Sequence, residues 1–94
     1  MRRNRRTPAL RSLVQETTLS SADFIDPVFV LEGEGCKEDV PSMPGISRKS
    51  IDLLLKELAD VHELGIPAIA LFPVIEQDKK TLDGAECANP DGLV

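Results

Sequence analysis

The stretches Pro-Val-Phe-Val-Leu (27–31) and Pro-Ala-Ile-Ala-Leu-Phe (67–72) decide the fold of this 94-residue chain. Both are short, continuous and apolar, and the first contains two β-branched valines. Runs without a polar residue are typical of strands that are buried on both faces, and such strands occur mainly in parallel sheets. We therefore predict β-strands at about residues 27–31 and 67–72.

The segment between these strands predicts a helix at about residues 48–64. Ser47 or Ser50 is a suitable N-cap. Gly65 suits the position after the last turn, where glycine adopts the left-handed conformation without strain. Apolar residues recur at the spacing of one helical face. They are Ile51, Leu54, Leu55, Leu58 and Val61.

On the other side of this helix, Asp52 and Lys56 have the spacing of a favourable i, i+4 ion pair. The preceding residues 36–47 contain two prolines and a glycine and predict an irregular connection, in which Met43 would fill a gap in the core. Strand, helix and strand then make one βαβ unit with parallel pairing and a right-handed crossover. The predicted fold class is α/β.

A basic arm precedes an acidic body. Five of the 11 basic residues are arginines before residue 12, no acid occurs in the first 15 residues, and the rest of the chain sets six basic residues against 16 acids. Within the arm, residues 8–16 predict a short helix with Thr7 as N-cap and Pro8 at the first position.

Three interpretations of the arm, residues 1–22, remain open. It could dock on an acidic neighbouring subunit, which is the interpretation we favour. It could bind nucleic acid, since clustered arginines release counterions from phosphates, although no aromatic residues interleave with them for stacking. It could also be an Arg-rich, acid-poor transit peptide. Residues 23–94 are predicted to form the β/α domain.

The chain is short for the domain that it begins. Two strands with apolar residues on both faces, covered by one helix, leave one sheet face and both edges bare. Asn89-Pro90-Asp91 is a helix-start signal, with an N-cap, a proline at the first position and an acid in the first turn, yet Val94 is the last residue. We therefore expect an incomplete part of a larger β/α domain.

No residue pattern predicts catalysis. Gly33-Glu34-Gly35 follows a strand but lacks the third glycine of a dinucleotide-binding loop, so the glycines are interpreted as turn residues. His62 has no nucleophile or metal partner nearby and is expected on the surface. Lys79 or Lys80 could in principle form a Schiff base, but their acidic surroundings oppose the lowered pKa that an amine nucleophile needs.

No residue pattern predicts a metal or cofactor site either. Asp83, Glu86 and Asp91 could offer oxygen ligands to a hard cation, but their spacing matches no calcium-binding or magnesium-binding motif. Cys36 and Cys87 are far apart and have no Cys-x-x-Cys partner. We therefore predict no catalytic, cofactor-binding or metal-binding residue in these 94 positions.

The sequence favours a soluble, cytoplasmic protein. The longest apolar run, residues 66–75, contains two prolines and is too short to span a bilayer. Nothing in the cysteine usage suggests secretion, so both thiols are expected to remain reduced.

Five strings in a fixed order identify a family. They are Arg-Arg-Thr-Pro-Ala-Leu-Arg (5–11), Asp-Pro-Val-Phe-Val (26–30) with Glu-Gly (32–33), Pro-Ser-Met-Pro-Gly-Ile-Ser-Arg (41–48), Leu-Gly-Ile-Pro-Ala-Ile-Ala-Leu-Phe-Pro (64–73), and Asp-Gly-Ala-Glu (83–86) with Asn-Pro-Asp-Gly-Leu-Val (89–94). Together they resemble the amino-terminal part of the porphobilinogen synthase family, also called 5-aminolevulinate dehydratases, and are most similar to its bacterial members. The resemblance covers essentially the whole chain.

This resemblance implies a (β/α)₈ TIM barrel, of which residues 23–94 would supply the first βαβ unit. It also implies an extended arm that contacts neighbouring subunits of a homo-oligomer, usually an octamer. The family's reaction is that of a hydro-lyase, which condenses two 5-aminolevulinate molecules into porphobilinogen in haem biosynthesis. No nucleic acid or membrane partner is implied.

The family's two Schiff-base lysines and its metal ligands for zinc or magnesium lie beyond the part matched here. No position in this chain matches either motif, so Lys79, Lys80, Cys36 and Cys87 are not assigned those roles. The 94 residues alone are expected to be inactive and to bind no cofactor. One departure from the pattern is Asp26, where the family commonly has a bulky residue.

An alternative from another class is a small, non-catalytic interaction module whose Arg-rich arm binds a partner. Cooperative thermal unfolding of the monomeric chain would favour this alternative, whereas a molten or aggregating chain would favour an incomplete domain.

Overall fold

The computed structural model describes residues 2–94. In that part of the chain, the arm is followed by three strands, a helix and a fourth strand, and 3₁₀ turns lie at the start of the arm, before the first strand and after the last. The helices and strands are α1 (Pro8–Leu13), β1 (Ile25–Leu31), β2 (Lys37–Asp39), β3 (Ser47–Ser50), α2 (Ile51–Glu63) and β4 (Ala68–Pro73); the 3₁₀ turns are Arg2–Arg5, Ser21–Asp23, Gln77–Lys79 and Ala85–Ala88.

β1 is a central strand in a sheet of order β2-β3-β1-β4. It pairs in parallel with β4 from Ile25 opposite Ala68 to Val30 opposite Pro73. Helix α2 lies between these two parallel strands in the chain, so the predicted βαβ unit and the α/β fold class are confirmed. Its strands lie within two residues of the predicted positions.

The predicted irregular connection at residues 36–47 is confirmed at residues 40–46 and was wrong at its two ends, where β2 and the start of β3 lie. β2 and β3 form an antiparallel pair there, and β3 also adds in parallel to the end of β1 at Val30 and Leu31. The charged residues of this ribbon show no apolar alternation, so the sequence carries no strand signal. These strands form because they pair with each other and with β1. Between β2 and β3, the guanidinium of Arg48 lies 3.2 Å from the Glu38 carboxylate. Because residues 48–50 belong to β3, the helix starts later than predicted, at Ile51.

The end of α2 follows the prediction. Gly65 has a φ of 82°, which is the left-handed conformation. Its N–H donates to the His62 carbonyl at 3.0 Å, and the N–H of Ile66 donates to the Val61 carbonyl at 3.4 Å. These two bonds make a Schellman motif, which satisfies carbonyl groups that the helix leaves unpaired.

The buried core lies between β1 and α2. Val28, Val30 and Leu54 are its fully buried apolar residues in the described part of the chain, with Leu58 and Leu93 packed against them. Alternate residues of β1 face the helix, so Phe29 points to the opposite side of the sheet and contacts Phe72 at a ring-centroid distance of 5.9 Å.

β4 is not buried on both faces, contrary to the prediction. Leu71 is 60% exposed and Phe72 is 50% exposed. The reason is that α2 lies over β1 and leaves β4 beside an open apolar cleft of about 370 Å³. The cleft is lined by Val30, Ile51, Leu54, Leu55, Leu58, Ile69, Leu71, Pro73, Leu93 and Val94.

The arm extends away from the sheet. The radius of gyration is 20.0 Å, against about 12 Å for a compact chain of this length. Helix α1 begins as predicted, with the Thr7 hydroxyl accepting from the N–H of Leu10 at 3.2 Å, but it ends at Leu13 rather than near Glu16. Its apolar residues, including Leu13 at 81%, are exposed.

The helix-start signal at residues 89–91 forms a turn. The Asn89 side-chain oxygen accepts from the N–H of Asp91 at 3.1 Å, and the Asn89 carbonyl accepts from the N–H of Gly92. Asn89 therefore makes the hydrogen bonds typical of an N-cap residue, but no helix follows it in residues 90–94. Leu93 then lies in the apolar cleft.

Leu54→Ala should lower the free energy of unfolding by about 2–3 kcal/mol, because it empties the centre of the small core. Leu55→Ala is the matched control on the same helix. Leu55 is 64% exposed, so its loss should change the free energy by less than about 0.5 kcal/mol. Urea denaturation followed by circular dichroism measures both, and equal losses would contradict the described packing.

Candidate functional site

The carboxyl ends of β1 and β4 lie side by side at one end of the sheet, which we call the carboxyl edge. In parallel β/α folds this edge carries the loops that bind ligands, because the strand ends and the helix N-termini converge there. Here the edge consists of loop 32–36 after β1, residues 74–80 after β4, and the first turn of α2.

Loop 32–36 is fastened to the start of α2 by Ser50 and Asp52. The N–H of Gly35 donates to both oxygens of the Asp52 carboxylate, at 3.0 and 3.2 Å. The N–H of Cys36 donates to the Ser50 hydroxyl at 3.0 Å, and the Ser50 N–H donates to the Cys36 carbonyl at 3.0 Å. Ser50 is fully buried, and all buried side-chain polar atoms in residues 2–94 have partners.

The Ser50 hydroxyl also donates to the Asp52 carboxylate at 2.5 Å. This bond, helped by the N–H of Gly35, lowers the pKa of Asp52 from its ordinary value. The predicted Asp52–Lys56 ion pair was wrong, and residues 2–94 contain no such pair. The Asp52 carboxylate instead turns back towards the loop, where Ser50 and Gly35 offer it donors.

A second contact joins the ends of β1 and β4. The Lys79 ammonium lies 3.0 Å from the carboxylate of Glu32, the first residue after β1. Glu32, and to a smaller extent Glu86 and Glu76, raise the pKa of Lys79. This shift holds the amine protonated, whereas a Schiff-base nucleophile needs a lowered pKa. The absence of catalytic lysines from this chain nevertheless stays a prediction.

Of the remaining predicted candidates, Gly33, Gly35 and Lys80 lie at this edge, whereas His62 and Met43 do not. His62 is exposed on the last turn of α2, and Lys80 is exposed after the 3₁₀ turn. Gly33 and Gly35 both have positive φ, as turn glycines do. Met43 is 44% exposed, so the prediction that it fills the core was wrong.

The acidic residues near the chain end bind polar neighbours. The Asp83 carboxylate accepts from the Thr81 hydroxyl at 2.5 Å, which lowers the pKa of Asp83. Glu86 accepts from the side chain of Asn89 at 3.3 Å. Across residues 2–94, no group of three or more His, Cys, Asp or Glu side chains is arranged to hold a metal ion. That this chain holds no metal ligand stays a prediction, and both cysteines are free thiols.

Sequence reasoning missed Glu32, Ser50 and Asp52. The pattern Ser-x-Asp at a helix start was a usable signal, since an N-cap serine followed by a first-turn acid often binds backbone N–H groups. The Glu32–Lys79 contact spans 47 residues and has no local signal. The arrangement can fix the loops of the edge relative to one another. It supplies no nucleophile–base pair among the side-chain contacts of residues 2–94.

No helix in residues 2–94 is long and apolar enough to cross a membrane.

Comparison with known proteins shows similarity along the whole chain. The family model described as delta-aminolevulinic acid dehydratase matches residues 1–94. The chain is 51% identical over 93 residues to the delta-aminolevulinic acid dehydratase of Halalkalibacterium halodurans, covering 99% of this chain and 28% of that protein. It is 46% identical over 93 residues to that of Chlamydia pneumoniae, again covering 99% and 28%.

A solved structure shares the fold. The crystal structure of delta-aminolevulinic acid dehydratase (porphobilinogen synthase) from Toxoplasma gondii ME49, in complex with the reaction product porphobilinogen, matches with a TM-score of 0.90 and 43% identity. The match covers 98% of this chain and 26% of that TIM-barrel enzyme. The chain thus spans less than a third of the length of these proteins.

Asp52→Asn should destabilise the chain at neutral pH, because it removes a carboxylate that accepts hydrogen bonds from two donors, the Gly35 N–H and the Ser50 hydroxyl. The pKa of Asp52 is lowered on folding, so its contribution is complete above its ordinary value of 3.8 and is lost as the pH falls through the lowered folded value. The difference in unfolding free energy between wild type and Asp52→Asn should therefore shrink in acid. Urea denaturation at pH 7 and in a series below pH 4 measures it.

The matched control for this experiment is Asp60→Asn on the same helix. Its carboxylate makes no hydrogen bond in the part of the chain that the structure describes, so the loss at pH 7 should be much smaller. Equal losses for both variants would contradict a specific role for Asp52.

Proposed function

This chain belongs to the delta-aminolevulinic acid dehydratase family, and we propose on that premise that it is the amino-terminal part of an enzyme that makes porphobilinogen. That enzyme is a hydro-lyase, which condenses two 5-aminolevulinate molecules with loss of two waters in haem biosynthesis. The observation that carries the proposal is the match of 98% of the chain to a family structure at a TM-score of 0.90.

Residues 23–94 supply scaffold in this proposal. β1 and β4 are the first two parallel strands of the (β/α)₈ barrel, and α2 is the helix between them. The exposed faces of β4 and the apolar cleft beside it support this role, because further strands and helices of a barrel would cover them.

The reacting groups come from outside this segment. Lys79 is held protonated by carboxylates, and residues 2–94 contain no metal cluster. We therefore assign the Schiff-base lysines and the zinc or magnesium ligands to later parts of the enzyme. The contribution of this chain is to position the loops at the carboxyl edge, through Asp52 and Lys79.

The arm contacts a neighbouring subunit of a homo-oligomer, which we propose to be an octamer. Apart from Arg11, whose guanidinium donates to the Arg5 carbonyl, the arginines of the arm at positions 2–6 make no side-chain hydrogen bond or ion pair within residues 2–94, and the apolar residues of α1 are exposed. The acidic body of a second copy offers a surface of opposite charge. We propose a cytoplasmic location; the relative from Pisum sativum is chloroplastic by name.

A chimera tests the activity. Residues 1–94 should be able to replace the matching amino-terminal segment of the Halalkalibacterium halodurans enzyme and retain porphobilinogen formation of the same order as in the parent, because the scaffold is equivalent. A colorimetric assay for porphobilinogen with 5-aminolevulinate as substrate measures it. The 94-residue chain alone is the control and should form none. Product from the isolated chain, or a folded but inactive chimera, would contradict the proposal.

A second experiment tests the arm. Deletion of residues 2–14 from the same chimera should lower the mass of its assembly, because the deletion removes the basic and apolar surface that holds the subunits. Analytical ultracentrifugation measures the mass. A variant with the five arm arginines replaced by glutamine separates the charge from the apolar contact. An unchanged octamer after the deletion would contradict the arm's role.

A further inference from the structure

We propose that loop 32–36 is held from two sides, and that Asp52 and Lys79 are positioning residues that fix this loop against the start of α2 and against the turn after β4. The inference rests on the proposed function and deepens it, because it says how the loop after β1 is positioned; its test does not depend on porphobilinogen formation. Three observations on this loop support it.

The first observation is the density of bonds on the helix side. The backbone of Gly35 and Cys36 makes four hydrogen bonds to Ser50 and Asp52, counting both oxygens of the carboxylate. Ser50 is fully buried and bonds the loop through both its backbone and its hydroxyl. One end of the loop is therefore attached to the first turn of α2.

The second observation is the ion pair on the opposite side. Glu32 begins the loop and holds Lys79, which lies in the 3₁₀ turn after β4. Within residues 2–94, no backbone hydrogen bond joins loop 32–36 to residues 76–79. The side-chain contact is thus what ties these two segments together, and the neighbouring carboxylates of Glu86 and Glu76 strengthen the attraction for the ammonium.

The third observation is how tightly the loop is folded between its two attachments. A Cβ atom on Gly33 would lie 3.2 Å from the Cys36 sulfur. The Cys36 thiol donates to the Glu34 carbonyl at 3.4 Å. Only two residues separate Glu32 from Gly35, and they have little room to rearrange. A displacement of one attachment must therefore move the other.

Amide hydrogen exchange of the 94-residue chain, resolved by residue with NMR, tests this coupling. Lys79→Met should speed exchange at Gly35 and Cys36 about twofold, which is the effect expected from losing an exposed ion pair. Asp52→Asn should speed exchange at Gly35 about fivefold, as the loss of one net hydrogen bond predicts. It should also speed exchange at the Lys79 amide about twofold, although Asp52 does not contact that amide.

Conservative and control variants separate positioning from general loss of structure. Lys79→Arg should restore wild-type exchange at Gly35, since a guanidinium also pairs with Glu32. Lys80→Met removes the adjacent charge and should leave exchange at Gly35 and Cys36 unchanged. High salt should mimic Lys79→Met in the wild type, because it screens an exposed ion pair.

The proposal fails if Lys79→Met changes exchange only in its own turn, since the two attachments are then independent. Glu32→Gln is the second variant for the case in which Lys79→Met unfolds the chain. It should speed exchange at Gly35 and leave the amide of buried Val28 unchanged. Faster exchange throughout β1 in both variants would also overturn the proposal, because the ion pair would then support the whole fold.

Discussion

The parallel pairing of β1 with β4 is the interaction on which the rest of this structure depends. Parallel strands need a return connection along the sheet, and α2 provides it. That return places Leu54 against Val28 and Val30, which gives the chain its core. It also brings the carboxyl ends of both strands to one edge, so that Glu32 and Lys79 meet although 47 residues separate them.

The resulting core is small, and much of the apolar surface of β4 and α1 lies outside it. Leu71 and Phe72 of β4 remain half-exposed or more, and α1 presents its apolar residues away from the sheet. Burial of such surface is the main favourable term in folding. A barrel that continues past β4, with the arm on a second subunit, would bury both surfaces, which is why the scaffold role fits this chain better than that of a free-standing interaction module.

The carboxyl edge is organised by polar contacts instead of by packing. Ser50 and Asp52 satisfy backbone donors of loop 32–36, and the ion pair of Lys79 holds the other side. A lysine held protonated by three carboxylates is suited to anchoring and not to nucleophilic attack. The polar contacts of the described residues thus hold the loops of this edge in place.

The sequence by itself determined the elements whose signals are local. The apolar runs of β1 and β4, the apolar stripe of α2, and the terminating Gly65 each depend on neighbours in the chain, and all appear close to their predicted positions. Only the tertiary structure decided the pairing of β2 with β3, the exposure of β4 and the contacts of Asp52 and Lys79. Those depend on which distant surfaces meet, and short-range periodicity carries no information about that.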